Sequence, residues 1–264
     1  MKTSPLFMTL CLTGAGLGST LAYADTLEVI SSGGFYSSME KLIPIFEKQT
    51  GHTVHLSSGS SMGASPTAIP NRLDRGERFD VVVLAAPELN KLAEKGYVDP
   101  SSQRALVNSS IGMAVPKGAP KPDISSAAKF EKVLLNAKHI GYSASASGTH
   151  LEKDVFPSFP PVEYKVIAGK AEKVVGDRVA KRIAEGQFDI GFQQISEIKP
   201  FTGQYGQVEL VGPIPAPYQK VTVFAAGIGK NSEHAKVAKE LINFVKSPQA
   251  TQIIEQQGLE QVKQ

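Results

Sequence analysis

The chain has 264 residues, of which 41% are hydrophobic and 20% charged, the balance of an ordinary globular protein rather than of a disordered or membrane-embedded one. Its formal net charge is +3, and the basic and acidic residues are interspersed, so no basic stripe points to a nucleic-acid partner. The single cysteine, Cys11, excludes an internal disulfide framework.

Lys2 precedes an apolar run from Leu6 to Leu21, and Ala22 and Ala24 frame an A-x-A site. This predicts a secretory signal peptide over residues 1–24, cleaved after Ala24, and a periplasmic mature chain starting at Asp25. Thr9, Thr13, Gly14, Gly16, Gly18, Ser19 and Thr20 dilute the run below a stable span, so no membrane insertion of the mature chain is expected. Cys11 falls in the removed segment. The expected mature chain therefore has neither a thiol nucleophile nor a cysteine metal site, and Lys2 is the one base among the 28 that leaves with the leader.

In chain order, Leu27 to Ile30 predicts a strand, Ser31 to Gly34 a loop, and Ser37 to Thr50 a helix that Pro44 kinks and Gly51 stops. Thr53 to Leu56 predicts a second strand, followed by the Ser/Gly loop Ser57 to Gly63 and a helical stretch weakened by Pro66 and Pro70. Phe79 to Ala86 is a continuous apolar run suited to a central parallel strand, and Pro87 to Lys95 a helix closed by Gly96. Three strand-loop-helix units predict a doubly wound α/β lobe with its ligand crevice beyond the carboxyl ends of the strands.

Ser110 to Val115 predicts an extended segment, after which a fresh series begins: helix Ser126–Ala137, strand His139–Ser143, helix His150–Phe156, helix Asp177–Glu185 and strand Phe188–Phe192. Val221 to Ile228 reads as a long strand, and helices Ser232–Val245 and Pro248–Gln257 end the chain. The expected organisation is residues 25–108 and 224–264 in one lobe and 109–223 in the other. Two crossing strands would form a hinge, with a cleft between the lobes.

Three loops suit anion capture by neutral donors. Gly33 and Gly34 let backbone approach a ligand just before a helix N-terminus; Ser60 and Ser61 offer hydroxyls; Ser147, Gly148 and Thr149 head another predicted helix. A serine before a helix is more often a simple cap, but three such loops at equivalent strand ends converge on one cleft. Arg72, Arg178 and Lys220 are candidate partners for carboxylates, and Tyr36 could wall the cleft or donate its hydroxyl. His150, expected in the first turn of a helix where the dipole disfavours imidazolium, is the best candidate general base. Glu152 and Asp154 follow as first-turn acids. His52, His55, His139 and His234 lack metal-ligand spacing, so neither a metal nor another cofactor is expected.

The opening strand and Ser/Gly loop, the Ser58 to Ser61 loop, the phrase Arg75-Gly76-Glu77-Arg78-Phe79-Asp80 before an apolar strand, and the ending Lys246-Ser247-Pro248-Gln249-Ala250, taken in this order, resemble the periplasmic molybdate-binding protein family over essentially the whole mature chain. The resemblance implies a type II periplasmic binding protein fold, α/β, with two doubly wound lobes joined by hinge strands. Its ligand positions fall, one by one, at Gly34 in place of a serine, at Ser60 or Ser61, near Ser147 and Val175 as amide donors, and at Gln194 in place of a tyrosine that closes on the oxyanion. A Gln amide both donates and accepts, whereas an ionised tetrahedral oxyanion takes donors only. These departures point to an organic carboxylate.

Within that family the chain is similar to the periplasmic aconitate isomerases. This implies an allylic proton shift between trans- and cis-aconitate in an inter-lobe cleft, with a tricarboxylate as partner. The other reading is a transport receptor that delivers a small anion, molybdate- or sulfate-like or a carboxylate, to an ABC permease.

Overall fold

The computed structural model describes residues 24–262, so the expected signal peptide lies outside the described residues, apart from Ala24. No helix among them is long and apolar enough to cross a membrane.

The first sheet is built from β1 (Thr26–Ser32), β2 (Thr53–Gly59), β3 (Val81–Ala85), β4 (Arg104–Ser109), β10 (Thr222–Ile228) and β11 (Leu259–Gln261), in the order β11-β4-β10-β3-β1-β2. β1 pairs in parallel with β2 and β3, while β10 runs antiparallel to β3 and β4. The second sheet takes β5 (Ile111–Pro116), β6 (Ile140–Ser143), β7 (Ala171–Val174), β8 (Ile190–Gln194) and β9 (Val208–Pro213), in the order β7-β6-β8-β5-β9. β6 is parallel to β7 and β8, and β5 antiparallel to β8 and β9.

Helices cover both faces of each sheet. The period-two alternation of strands sorts side chains between them: in β3, Val81, Val83 and Ala85 enter one core, and Val82 and Leu84 the other. The first of these cores lies beneath α1 (Gly33–Thr50), α9 (Ala235–Val245) and α10 (Pro248–Gln256), so the C-terminal helices return to the first sheet. The second lies beneath α2 (Ile69–Asp74) and α3 (Ala86–Glu94). The other sheet packs α4 (Ala127–Asn136) and α6 (Pro161–Ala168) on one face and α7 (Val179–Ala184) and α8 (Ile195–Ile198) on the other. A sheet buried on both faces reads as the continuous apolar run at Val81–Ala86, the part of the expected stretch that follows Asp80. The chain passes from β4 to β5 through Ser110 alone and returns from β9 to β10 through residues 214–221.

Several local expectations change. α1 starts at Gly33, with Ser32 as its N-cap, so the glycines form its first turn, and it runs through Pro44 to a left-handed cap at Gly51. Glycine is a poor helix former, but a side chain at either position would have to displace a neighbour from outside the helix. The loop expected at Ser145–Thr149 is instead α5 (Ala146–His150), which passes into a wider π turn over Leu151–Val155. His150 is thus the last residue of α5, and the dipole argument made for it does not hold. β7, β9, α6 and the short β11 were not marked in the sequence.

Candidate functional site

The strand ends and loops after β1, β2, β6, β7 and β8 contribute to one cavity of about 450 Å³. From the first sheet come Ser32, Gly33 and Gly34 after β1, and Ser58 to Gly63, Ser65 and Thr67 after β2. From the second come Ser143 to Ser147 around α5, Val174 and Gly176 to Arg178 before α7, and Gln193, Gln194 and Glu197 around the start of α8. The lobes already touch across it: Ser196 Oγ donates to the Gly34 carbonyl at 2.7 Å, and Thr149 Oγ1 contacts Met62 Sδ at 3.4 Å.

Both glycines of the first turn of α1 are fixed by neighbours from outside their helix. A Cβ on Gly33 would collide with Glu197 Oε1, and one on Gly34 with the Phe224 ring. Phe224 therefore occupies the space into which a serine at 34 would project. The backbone N–H groups of this 18-residue helix meet the cavity, where they and the helix dipole favour negative charge. Ser32 makes no capping bond; its hydroxyl is fully buried and has no hydrogen-bond partner among the described residues. The Ser37 and Ser38 hydroxyls of the same helix are likewise buried without a partner among the described residues, and groups of this kind cost stability unless a ligand or water meets them.

Other donors are set by their own partners. Ser61 Oγ accepts from the Ala85 N–H at 3.1 Å, which leaves its hydrogen free to donate, whereas Ser60 Oγ is spent on the Met62 carbonyl at 2.8 Å. Ser147 Oγ shares a 3.0 Å hydrogen bond with Ser143 Oγ. Gln193 Oε1 accepts from the Ala180 N–H at 3.0 Å; this orients the amide and leaves Nε2 for the cavity. Gly148 packs so closely on the Ser143 carbonyl that no Cβ fits.

Arg178 and Lys181 bring positive charge to the wall. Lys181 is paired with Asp177 at 3.1 Å, and Arg182 holds the same carboxylate at 3.0 Å. The Arg178 guanidinium instead lies 5.9 Å from the ring centres of both Tyr36 and Phe201, a cation–π arrangement that spans the cleft and leaves its donors for an anion. Glu197 is the third residue of α8, the position from which a capping-box acid faces its N-cap, here Gln194. Burial pushes the Glu197 carboxyl up to about 7, although the Arg178 charge and the Gln194 N–H both favour its ionised form.

Of the residues singled out in the sequence, Gly34, Ser60, Ser61, Ser147, Gln194 and Arg178 line the cavity. Tyr36 reaches it only through Arg178. Gly148 and Thr149 lie just behind the wall, and Val175 is 54% exposed while its neighbours Val174 and Gly176 line the cavity. Arg72 is turned to Glu77 and the Ser58 carbonyl, and neither it nor Lys220 lines the cavity.

Two expectations need correction. His150 is outside the wall: its Nδ1 lies 2.8 Å from Asp154 Oδ2 and its Nε2 3.0 Å from the Tyr218 carbonyl, so no ring nitrogen is left for a substrate proton. That hydrogen bond from His150 holds the Asp154 carboxyl below its usual range. Gln194, though in the wall, has both ends of its amide committed. Its Oε1 accepts from Ser109 Oγ at 2.8 Å and its Nε2 donates to Thr222 Oγ1 at 2.9 Å, which ties the end of β4 to the start of β10. Ser32, Gln193 and Glu197 went unmarked because their importance lies in contacts between segments remote in sequence. The one local signal was the Gln194-x-x-Glu197 spacing.

The chain is similar over its whole length to proteins of known activity or ligand. It is 38% identical over 262 residues to an aconitate isomerase from a Pseudomonas species, covering 98% of each chain. The periplasmic molybdate-binding protein of Azotobacter vinelandii superposes with a TM-score of 0.68 at 24% identity, over 90% of this chain and all of that one. A sulfate-binding protein of Mycobacterium tuberculosis gives a TM-score of 0.72 at 17% identity, over 90% and 88%. Residues 27–260 match the bacterial extracellular solute-binding protein family, and the chain belongs to that family.

Proposed function

We propose that this chain is an aconitate isomerase working in the periplasm, which binds the tricarboxylate between its lobes and moves one proton along the allylic system. The observation that carries this reading is the 38% identity to an aconitate isomerase along both chains from end to end. The cavity supports it by size. At about 30 Å³ per water in the liquid, its volume of about 450 Å³ far exceeds what a five-atom tetrahedral oxyanion fills and suits a six-carbon acid with three carboxylates.

The donor set supports it by chemistry. The N-terminus of α1, the Ser61 hydroxyl, Gln193 Nε2 and Arg178 come from several different elements of both lobes, a donor set numerous enough for more than one carboxylate. Donors aimed at the carboxylates also stabilise the carbanion formed when a methylene proton leaves, because its charge spreads into them. Holding the chain of the acid against this wall fixes the double-bond geometry of the product when the proton returns.

The test adds purified protein to trans-aconitate and follows the cis isomer by chromatography. Absence of turnover at high enzyme, together with micromolar binding of molybdate or sulfate by calorimetry, sinks the isomerase and leaves the second reading. That reading, a receptor for an ABC permease, is favoured by the contacts between lobes across the cleft, since a delivery protein needs only capture and closure.

A further inference from the structure

Resting on the isomerase reading, we propose that Glu197 is the catalytic residue that takes the proton from one end of the allylic substrate and returns it to the other. The argument starts from what the cavity wall contains. Its titratable or charged side chains are Asp177, Arg178, Lys181 and Glu197. Asp177 is held by Lys181 and Arg182, and its backbone neighbour Arg178 also donates an N–H to it at 2.8 Å. Lys181 is committed to that pair, and a guanidinium does not give up its proton in proteins. Among the described residues neither Arg178 nor Glu197 has an ion pair within salt-bridge distance, so of the four Glu197 is the unpaired group able to exchange a proton, and it lines the space where a ligand sits.

Its placement is built, not incidental. The carboxyl is lodged against Gly33, in the first turn of α1, at a point that any side chain at 33 would fill. It comes from the opposite lobe, on α8, which directly follows the central strand β8. Lobe closure therefore brings the base of one lobe to the anion-binding helix end of the other. Gly33 lies in the first turn of the helix whose N-terminus favours negative charge, so the base stands at the anion-binding end of α1. Arg178 is the charge that acts on Glu197. It keeps enough of the carboxylate ionised to serve as a base, while burial keeps the acid form available to give the proton back.

The step balances without any co-reactant. The Glu197 carboxylate forms an O–H bond with a methylene hydrogen of trans-aconitate. The C–H electron pair spreads over the three allylic carbons and their carboxylates. The protonated Glu197 then gives the same hydrogen to the far allylic carbon, which fixes the double bond in its new position and restores the carboxylate. One base serving both ends requires both carbons to face it, so the transfer stays on one face of the substrate.

The experiment compares wild type, Glu197→Gln and Glu197→Asp with trans-aconitate. The readouts are turnover by chromatography, ligand affinity by calorimetry, and the pH profile of kcat/KM. Glu197→Gln is expected to lose turnover by about a thousandfold, within the range general-base removal produces, while affinity is kept or improved because a negative charge has left the cleft. Wild-type kcat/KM is expected to rise with pH through a midpoint near 7. Glu197→Asp, which keeps the carboxyl on a shorter arm, is expected to keep partial activity with a displaced midpoint; it also stands in should the Gln variant fail to fold. Turnover of Glu197→Gln within tenfold of wild type, or an unchanged pH limb in Glu197→Asp, overturns the assignment while leaving the isomerase standing. A wild type that binds trans-aconitate but never converts it overturns both.

Discussion

Gln194→Leu should loosen the hinge, because its amide bonds to both crossing segments, as the Gln219 amide does at Ile111 and Ile214. It bridges Ser109, at the end of β4, and Thr222, at the start of β10, through bonds of 2.8 and 2.9 Å. Each bond contributes about 1 kcal/mol net. Ser109 is 1% exposed, so its hydroxyl would be left unmatched at a further cost of roughly 1–3 kcal/mol, whereas the half-buried Thr222 can turn to water. Leucine returns part of this through its apolar surface, which leaves an expected loss of about 2–4 kcal/mol. For a chain of this size that corresponds to roughly 5–15 °C in Tm, at about 2–4 °C per kcal/mol. Urea unfolding followed by circular dichroism measures the loss, and a cycle with Ser109→Ala isolates the bond. In the double variant neither partner is left unmatched, so the two losses should fall short of additive by at least about 1 kcal/mol. A coupling within about 0.5 kcal/mol of zero would refute the hinge role.

Four further outcomes are expected. Ser32→Ala should leave urea stability unchanged or slightly raised, since it removes a buried hydroxyl without a partner, yet weaken trans-aconitate binding in calorimetry by about tenfold or more, the worth of a hydrogen bond to a charged group. Arg178→Met should weaken that binding by roughly thirtyfold, about 2 kcal/mol, and should move the pH limb of kcat/KM upward, because the Arg178 charge favours ionised Glu197. His150→Ala should keep turnover within about tenfold of wild type; a loss approaching the thousandfold scale of a general base would return His150 to the mechanism. Stability should fall as pH rises from 4.5 to about 7, because the folded protein holds the Glu197 proton more tightly than the unfolded chain. The effect is complete below the unfolded value, is lost through the folded one and at about 1.4 kcal/mol per unit is worth at most about 3 kcal/mol; Glu197→Gln should remove that slope from urea melts taken between pH 5 and 8.

Periodicity revealed the fold more fully than it revealed the site. The buried strand at Val81–Ala85, the cap at Gly51 and the return of the C-terminal helices to the first sheet follow from patterns within short windows. Short or half-exposed elements such as β7 and β11 carry too few residues for a pattern. At the site, strand-end loops predicted which segments meet but not which atoms remain free. Ser60 and Ser61 are adjacent and alike in sequence, yet the first spends its hydroxyl on Met62 while the second keeps its hydrogen. Gln193 and Gln194 are likewise adjacent, and the strand period turns one to the cavity and the other to the hinge. His150 looked available only because Tyr218, its partner 68 residues away, cannot be seen from the helix pattern.

An anion receptor and an allylic isomerase can share this scaffold, and the difference between them lies in what a carboxylate in the cleft does to each. Two like charges about 4 Å apart repel by about 4 kcal/mol at the effective dielectric of a protein surface, so an ionised Glu197 beside a bound anion weakens capture. A protein selected only to trap anions gains nothing from that group, and at Gly33 a side chain could have closed the space that admits it. Here the carboxyl is admitted and is offset by Arg178, which has no carboxylate ion pair among the described residues. Its proton affinity is left near neutrality, where it can both take and return a proton. The cost to binding is the requirement for catalysis, and that asymmetry favours chemistry in this cleft over delivery alone.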